Sequence, residues 1–137
     1  MRGLTPAISD WPLICPVPVI QALRIPGGRL RRSVKWGWTP EQRIGDMESL
    51  GVDVQVVSTG DQFYQYDRDA EIVASMHREC NDEANQMTLD YPDRIKGFAQ
   101  IPMQDVGMAI AELDRCVNQL GLVGPTIDDK VNGRTYD

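Results

Sequence analysis

Helical patterns alternate with short apolar runs between residues 39 and 127, and this alternation limits the fold more than any other feature of the sequence. The first helix begins at Thr39-Pro40-Glu41-Gln42, where a cap, a proline and a capping-box glutamine coincide, and it ends at Gly51. A second helical pattern covers residues 68–90, and a third begins after Asp105 and ends at Gly121. Apolar runs at residues 52–59, 95–101 and 122–127 follow them. This order predicts an α/β fold with parallel strands joined by right-handed crossovers.

The length of the chain limits how much of such a fold it contains. Each predicted strand follows a helix of comparable length, as in a (β/α)₈ barrel, and a barrel needs roughly 200 residues or more. The chain has 137 residues. We therefore expect a partial (β/α)₈ barrel of about three β/α units over residues 39–137. Residues 1–38 are rich in proline and predict an irregular segment that packs on the rest.

Charge and hydropathy exclude two classes of partner. The formal net charge of −6 argues against nucleic acid, because phosphate binding needs a basic surface. Arg29, Arg31, Arg32 and Lys35 form a short basic cluster, which suits a small anionic ligand or a partner chain better than DNA. No apolar run approaches the ~20 residues that span a membrane, and the early prolines do not resemble a signal peptide.

Cysteine usage indicates the compartment. Cys15, Cys80 and Cys116 are an odd number and too few for a disulfide framework. Cys80 and Cys116 fall on the apolar stripes of predicted helices, where cysteine is usually a small buried hydrophobe. We therefore expect a reducing, cytoplasmic setting.

Candidate functional residues lie where the predicted strands end, since parallel α/β folds place their working side chains there. The aromatic residues at 63–66 either line a pocket or cover the rim. Asp128-Asp129 has a functional and a structural interpretation. The pair could bind a metal or act as a base, or it could form a solvated turn. His77 is the only histidine, lies mid-helix at the border of the apolar stripe, and is not expected to be catalytic.

The residues alone show no catalytic apparatus. Catalytic zinc sites use two or three histidines, often with a carboxylate or cysteine, and one histidine cannot supply that set. No glycine-rich phosphate loop, Ser-His-Asp set or CxxC pair is present.

An ordered series of short motifs nevertheless resembles one family. The series begins with Trp38-Thr39-Pro40-Glu41-Gln42-Arg43-Ile44 and Gly51-Val52-Asp53-Val54-Gln55. Asn81-Asp82, Tyr91-Pro92-Asp93-Arg94, Gly97 and Pro102-Met103-Gln104 follow in order, then Glu112, Arg115-Cys116-Val117, Leu120-Gly121 and Val131-Asn132. From about residue 31 to residue 132 the chain is similar to the amidohydrolase-related decarboxylases of the aminocarboxymuconate-semialdehyde type.

This resemblance implies a barrel that removes a carboxyl group from a small aromatic or muconate-like acid with one divalent metal, commonly zinc. Its implied ligands are an HxH pair on the first strand, a later histidine and an aspartate near the last strand. Family members are often homodimers. Arg31 matches an arginine that holds the substrate carboxylate, and Arg32 is an equally placed rival.

The chain contains no HxH motif, so we expect no metal ligand and no catalytic residue within it. The leading hypothesis is that it is a fragment, truncated at both ends, of a metal-dependent decarboxylase and is inactive alone. The parent enzyme could also be a related hydrolase or hydratase. The alternative hypothesis is a non-catalytic α/β module that binds a small anionic ligand or a partner protein.

Overall fold

The computed structural model describes residues 38–136, and the predicted irregular segment at residues 1–38 lies outside them apart from Trp38. Its helices are α1 (Pro40–Leu50), α2 (Ala70–Asp90) and α3 (Val106–Asn118). Its strands are β1 (Gln55–Val57), β2 (Ile95–Gly97), β3 (Ala99–Gln100) and β4 (Pro125–Thr126), and a 3₁₀ turn covers Asp61–Phe63.

The helices begin and end where the sequence predicts. Thr39 caps α1 by accepting from the backbone N–H of Gln42, while the Gln42 side chain accepts from the backbone N–H of Thr39. Gly51 closes this helix in the left-handed conformation, with φ 67°, which glycine adopts at little cost. At the start of α2 and of α3, the carboxylates of Asp69 and Asp105 accept hydrogen bonds from backbone N–H groups of the first turn, as the Thr39 hydroxyl does in α1.

The strands are parallel and lie in chain order. β1 pairs with β2, with Val57 opposite Gly97, and β3 pairs with β4, with Gln100 opposite Thr126. The backbone N–H of Phe98 donates to Val57 O at 2.8 Å, and Ala99 N–H donates to Gly124 O at 2.7 Å. Residues 95–100 therefore lie between β1 on one side and β4 on the other, which confirms the α/β fold with parallel strands.

The strands are shorter than their apolar runs predict. Of residues 52–59 only Gln55–Val57 is strand, and of residues 122–127 only Pro125–Thr126 is strand. Residues 95–101 form two strands, interrupted at Phe98, where pairing passes from β1 to β4. The apolar pattern marks burial, whereas strand length depends on whether a neighbouring backbone is within reach.

All three helices pack on one face of the sheet. A β-carbon added at Gly97 would meet Leu122, Ala84 and Thr88, so this face of the strand looks toward α2. The core on this face comprises Val57, Ala84, Met87, Ile95, Ala99, Ile101, Ala109, Cys116 and Leu122. Ile44 of α1 and Leu113 of α3 pack against its margin.

The opposite face is partly exposed at its amino end, where apolar side chains lie beside the exposed Lys96, the partner of Val56 in the strand register. Side chains alternate along a strand, so Val54, Val56 and Phe98 point away from the helices, and they are 46%, 36% and 38% exposed. The β-branched run at residues 52–59 suits a strand that is buried on both faces, but in this chain one of its faces is partly exposed.

Ile110 and Val117 of α3 share the helical spacing of Leu113, which packs against the core, yet both are exposed. A helical period in the sequence shows which residues lie on one side of a helix, but not how many of them a neighbouring element covers.

Candidate site at the carboxyl ends of the strands

The loop that follows β1 is anchored to α2 by its aromatic residue Phe63. The Phe63 ring is buried in a small apolar cluster with Val73, Met76 and Cys80. Its backbone O lies 2.8 Å from Nε2 of His77, which is also buried. A carbonyl oxygen only accepts, so Nε2 carries the proton and donates. The loop is therefore fixed to α2 at Phe63.

His77 holds this loop and does not contact a strand end. Its side chain is fully buried, which is deeper than its position at the border of the stripe suggests. Burial lowers the pKa of His77, an effect that outweighs the bond to Phe63 O and the charge of Glu112. The histidine is thus neutral at pH 7. That His77 has no catalytic role stays a prediction.

The next aromatic residues cover the carboxyl end of the sheet. The Tyr64 hydroxyl lies 3.1 Å from Oγ1 of Thr126 on β4, so the loop reaches across from β1 to β4. The Tyr66 ring lies beside that of Tyr64, with centroids 5.5 Å apart, and is buried. Burial raises the pKa of Tyr66. Of the two predicted roles, covering the rim describes Tyr66, whereas Phe63 packs against α2 and Tyr64 stays half-buried at the edge.

Gln100 lies under this edge and was not anticipated as a site residue. It faces Thr126 across the β3–β4 pair and, by alternation, points away from the helix-facing Ala99. The side chain is 1% exposed, yet within residues 38–136 neither Oε1 nor Nε2 has a hydrogen-bond partner. The sequence signal was a glutamine between the apolar Ala99 and Ile101, which becomes informative only once the register is known.

The Gln100 backbone, in contrast, is satisfied by Asn81 of α2. Asn81 Oδ1 accepts from Gln100 N–H at 2.7 Å, and Nδ2 donates to Gln100 O at 2.8 Å. Nδ2 also donates to Oε1 of Glu112 at 2.9 Å. Asn81 thus connects two helices to the strand that carries Gln100.

Glu112 of α3 is the buried acid at the centre of this contact. Arg115 donates to both of its oxygens, at 3.0 and 2.7 Å, and Arg78 Nε donates at 3.2 Å. Burial raises the pKa of Glu112, but bonds from Arg115 and Asn81 outweigh burial and leave the pKa below its ordinary value. Burial and the charge of Glu112 raise the pKa of Cys116 to about 12. These motif residues therefore hold α2, α3 and β3 together.

Asp128 and Asp129 form an exposed turn. The Asp128 carboxylate accepts from the Asp129 backbone N–H at 2.8 Å, and its carbonyl accepts from the Tyr136 hydroxyl at 2.7 Å. Both side chains are exposed. The geometry matches the solvated turn.

The described side chains do not fit the metal of the resembling family. Residues 38–136 hold no group of three or more histidine, cysteine, aspartate or glutamate side chains arranged to bind a metal ion. The only histidine of the sequence is committed to Phe63 O. Arg31, the predicted substrate-carboxylate ligand, lies outside the described residues, as do Arg32 and Cys15. No helix in the described part of the chain has both the length and the apolar character to cross a membrane.

Parallel strands in chain order, a helix layer on one face and loops converging at the carboxyl ends define an α/β protein of the type that carries its functional groups at that edge. The family model described as Amidohydrolase matches residues 16–135. The chain therefore belongs to the amidohydrolase family, and the resemblance of the sequence is confirmed.

Its relatives are decarboxylases. The chain is 34% identical over 100 residues to 2-amino-3-carboxymuconate-6-semialdehyde decarboxylase of Dictyostelium discoideum, covering 73% of this chain and 28% of that protein. It is 33% identical over 97 residues to gamma-resorcylate decarboxylase of a Polaromonas species, covering 71% and 28%.

Solved structures agree. The 5-carboxyvanillate decarboxylase of Sphingomonas paucimobilis superposes with a TM-score of 0.68 at 29% identity, over 74% of this chain and 30% of that one. The dihydroxybenzoic acid decarboxylase of Polaromonas, solved with bound manganese and the inhibitor 2-nitroresorcinol, gives a TM-score of 0.62 at 32% identity, over 64% and 26%. The chain thus spans less than a third of the length of these relatives.

Proposed function

We propose that this chain is one section of a metal-dependent decarboxylase that acts on a small aromatic or muconate-like carboxylic acid. The observation that carries the proposal is the match to several decarboxylases over about 70% or more of this chain. The metal-binding residues would then belong to sections of the enzyme outside this chain.

The open face of the sheet supports a barrel. Val54, Val56 and Phe98 point away from the helices and are partly exposed, as side chains that face a barrel interior would be until further strands close it. Consecutive parallel strands with every helix on the outer face are also the repeating unit of a (β/α)₈ barrel. We infer that residues 39–137 supply about three such units and that residues 1–38 form a separate irregular segment.

The cofactor is a divalent metal. Manganese is present in the Polaromonas structure, whereas zinc was the metal that the sequence resemblance implied. The family match begins at residue 16 and so includes Arg31, which supports a role for this arginine in binding the substrate carboxylate. A homodimer and a cytoplasmic location complete the proposal, the second supported by the buried free thiols of Cys80 and Cys116.

The test begins with the DNA on both sides of this reading frame. The proposal expects in-frame histidine codons of an HxH motif upstream and histidine and aspartate codons downstream. The full-length product, supplied with Mn²⁺ or Zn²⁺, should release CO₂ from 2,6-dihydroxybenzoate or a related acid. A chelator should abolish this activity, and the 137-residue chain alone should show none.

The rival function is a non-catalytic module that binds a small anion or a partner protein. The observation in its favour is that residues 38–136 contain no metal-binding cluster. It predicts stop codons bounding the frame. A full-length product with an intact HxH motif but no activity on any carboxylic acid tested would instead point to a related hydrolase or hydratase.

A further inference from the structure

The side chain of Gln100 is the only feature in the described residues that combines near-complete burial, a position at a strand end and an amide unpaired at both of its polar atoms. Burying an amide without partners is costly, and native proteins retain few such groups. A carbamoyl group offers one acceptor and two donors. It is therefore matched by a ligand group that both donates and accepts, such as a hydroxyl or a carboxyl.

The surroundings of Gln100 extend this match. Thr126 is its direct neighbour on β4 and lies on the same face of the sheet. Oγ1 of Thr126 bonds the Tyr64 hydroxyl at 3.1 Å, and the Tyr66 ring lies beside Tyr64. An amide, two hydroxyl groups and a pair of aromatic rings thus occupy one edge. Planar aromatic molecules that carry polar substituents suit this combination.

We propose that Gln100, Thr126 and Tyr64 form a polar subsite that binds a hydroxyl or carboxyl substituent of a small aromatic ligand. Entry of the ligand requires that the Tyr64–Thr126 bond opens. This is a single bond between neutral hydroxyl groups, and a ligand hydroxyl replaces it one for one. The assignment deepens the proposed function, on which it rests for the choice of ligand, by naming where a substrate substituent binds.

The subsite is distinct from the polar network behind it. Asn81 bonds the Gln100 backbone through both atoms of its amide, and its Nδ2 also donates to Glu112 of α3. A ligand on the opposite face would leave these bonds in place. Substitution of the Gln100 side chain therefore changes the subsite without removing the contact between α2, α3 and β3.

The test is a titration of the ¹⁵N-labelled 137-residue chain with 2,6-dihydroxybenzoate, followed through the side-chain amide signal of Gln100. Benzoate, which carries only the carboxyl group, and resorcinol, which carries only the hydroxyl groups, are titrated separately. We expect a saturable shift with 2,6-dihydroxybenzoate and with at least one of the two simpler compounds. The simpler compound that reproduces the shift of the Gln100 amide signal identifies the substituent that binds.

Gln100→Met keeps the shape of the side chain and removes its polar atoms. It should weaken binding about tenfold, as expected for the loss of one or two hydrogen bonds, and should raise the melting temperature because the unpaired amide is gone. The control is Gln86→Met, since Gln86 of α2 is exposed and bonds Asp90 at 2.8 Å. Unchanged affinity in Gln100→Met, or a lower melting temperature, would overturn the proposal.

A second measurement separates this proposal from the proposed function. In the full-length enzyme, Gln100→Met should raise KM for 2,6-dihydroxybenzoate about tenfold. An active enzyme with unchanged KM would refute the subsite alone. Ligand binding to the chain, together with a full-length protein that never releases CO₂, would refute the decarboxylase function alone.

Discussion

The side chain of Asn81 forms with the backbone of Gln100 the two hydrogen bonds that a neighbouring strand would form. Phe98 N–H still reaches Val57 O on β1, but β1 ends at Val57, and two residues further on it is Asn81 that pairs with the edge of β3. An asparagine suits this position because its amide has the donor and acceptor of a peptide group. A helix residue thus ends the pairing of two strands.

Asn81→Ala should therefore lower the free energy of unfolding by about 2–4 kcal/mol, because it leaves Gln100 N–H and C=O and one Glu112 oxygen without this partner in the interior. Asn81→Asp should cost at least as much, since a carboxylate would face Gln100 O and Glu112. Urea denaturation measures both. The control is Asn118→Ala, whose exposed bond to Asp114 should be worth under about 0.5 kcal/mol. Equal effects at positions 81 and 118 would contradict this account.

Gly97 is required by the packing of Leu122. A β-carbon at Gly97 would lie 2.8 Å from Cδ2 of Leu122, and Leu122 is only 2% exposed and so has little room to move. Gly97→Ala should destabilise by about 1–3 kcal/mol. The matched control is Gly45→Ala in α1, where nothing lies within 4 Å of the added carbon. There the change should stabilise by about 0.5–1 kcal/mol.

Combining Gly97→Ala with Leu122→Val tests the cause. The smaller side chain removes the clashing methyl group, so the double variant should be more stable than the sum of the single effects. If the two single effects on the free energy of unfolding simply add, the contact between position 97 and Leu122 is not the source of the strain.

His77 makes the stability depend on pH. Burial lowers its pKa below the ordinary 6.5, so the unfolded chain binds the proton more tightly than the folded chain. The stabilising contribution is complete above about pH 6.5 and is lost as pH falls below that value toward the lowered pKa. His77→Gln places an amide nitrogen near the position of Nε2 and does not titrate. Its free energy of unfolding should vary less between pH 7 and 5 than that of the wild type, and an unchanged slope would exclude His77 as the source.

The helix boundaries could be predicted because they depend on local chemistry. Thr39, Gln42 and Gly51 supply the cap, the capping box and the left-handed stop within the segment itself. The parallel order of the strands followed from the helix lengths between them. The family could also be predicted. Of its motif residues, Asn81 proves to join α2 to β3, and Glu112 proves to join α3 to α2.

The candidate site could not be predicted in the same way, because it depends on register. Gln100 becomes a candidate only when its pairing with Thr126 places it on the face away from the helices. Arg43 of α1 is charged and yet only 2% exposed, and burial lowers its pKa to about 10, a position that no helical pattern predicts. Side-chain burial of this kind is decided by tertiary neighbours.

Arg31 and Arg32 can be distinguished by kinetics in the full-length enzyme. The proposal places the substrate carboxylate on the Arg31 guanidinium, whose paired donors a lysine does not reproduce. Arg31→Lys should raise KM about tenfold or more, corresponding to roughly 1.5–3 kcal/mol for a hydrogen bond to a charged group, whereas Arg32→Lys should change KM little. The reverse pattern would transfer the role to Arg32.

Glu112 combines burial with charge, and its substitution should be among the most destabilising in the chain. Glu112→Gln keeps the shape but removes the charge that Arg115 and Arg78 bond, so it should cost about 3–5 kcal/mol at pH 7. The pKa of Glu112 is below its ordinary value of 4.5, so the folded chain binds this proton less tightly than the unfolded chain. The contribution is therefore present above about pH 4.5 and is lost as pH falls through the lowered pKa. Urea denaturation measures the difference in free energy of unfolding between the wild type and Glu112→Gln. This difference should be constant from pH 7 to 5 and should narrow below about pH 4.5. A difference that persists at lower pH would show that the Glu112 oxygens matter through their shape and not through their charge.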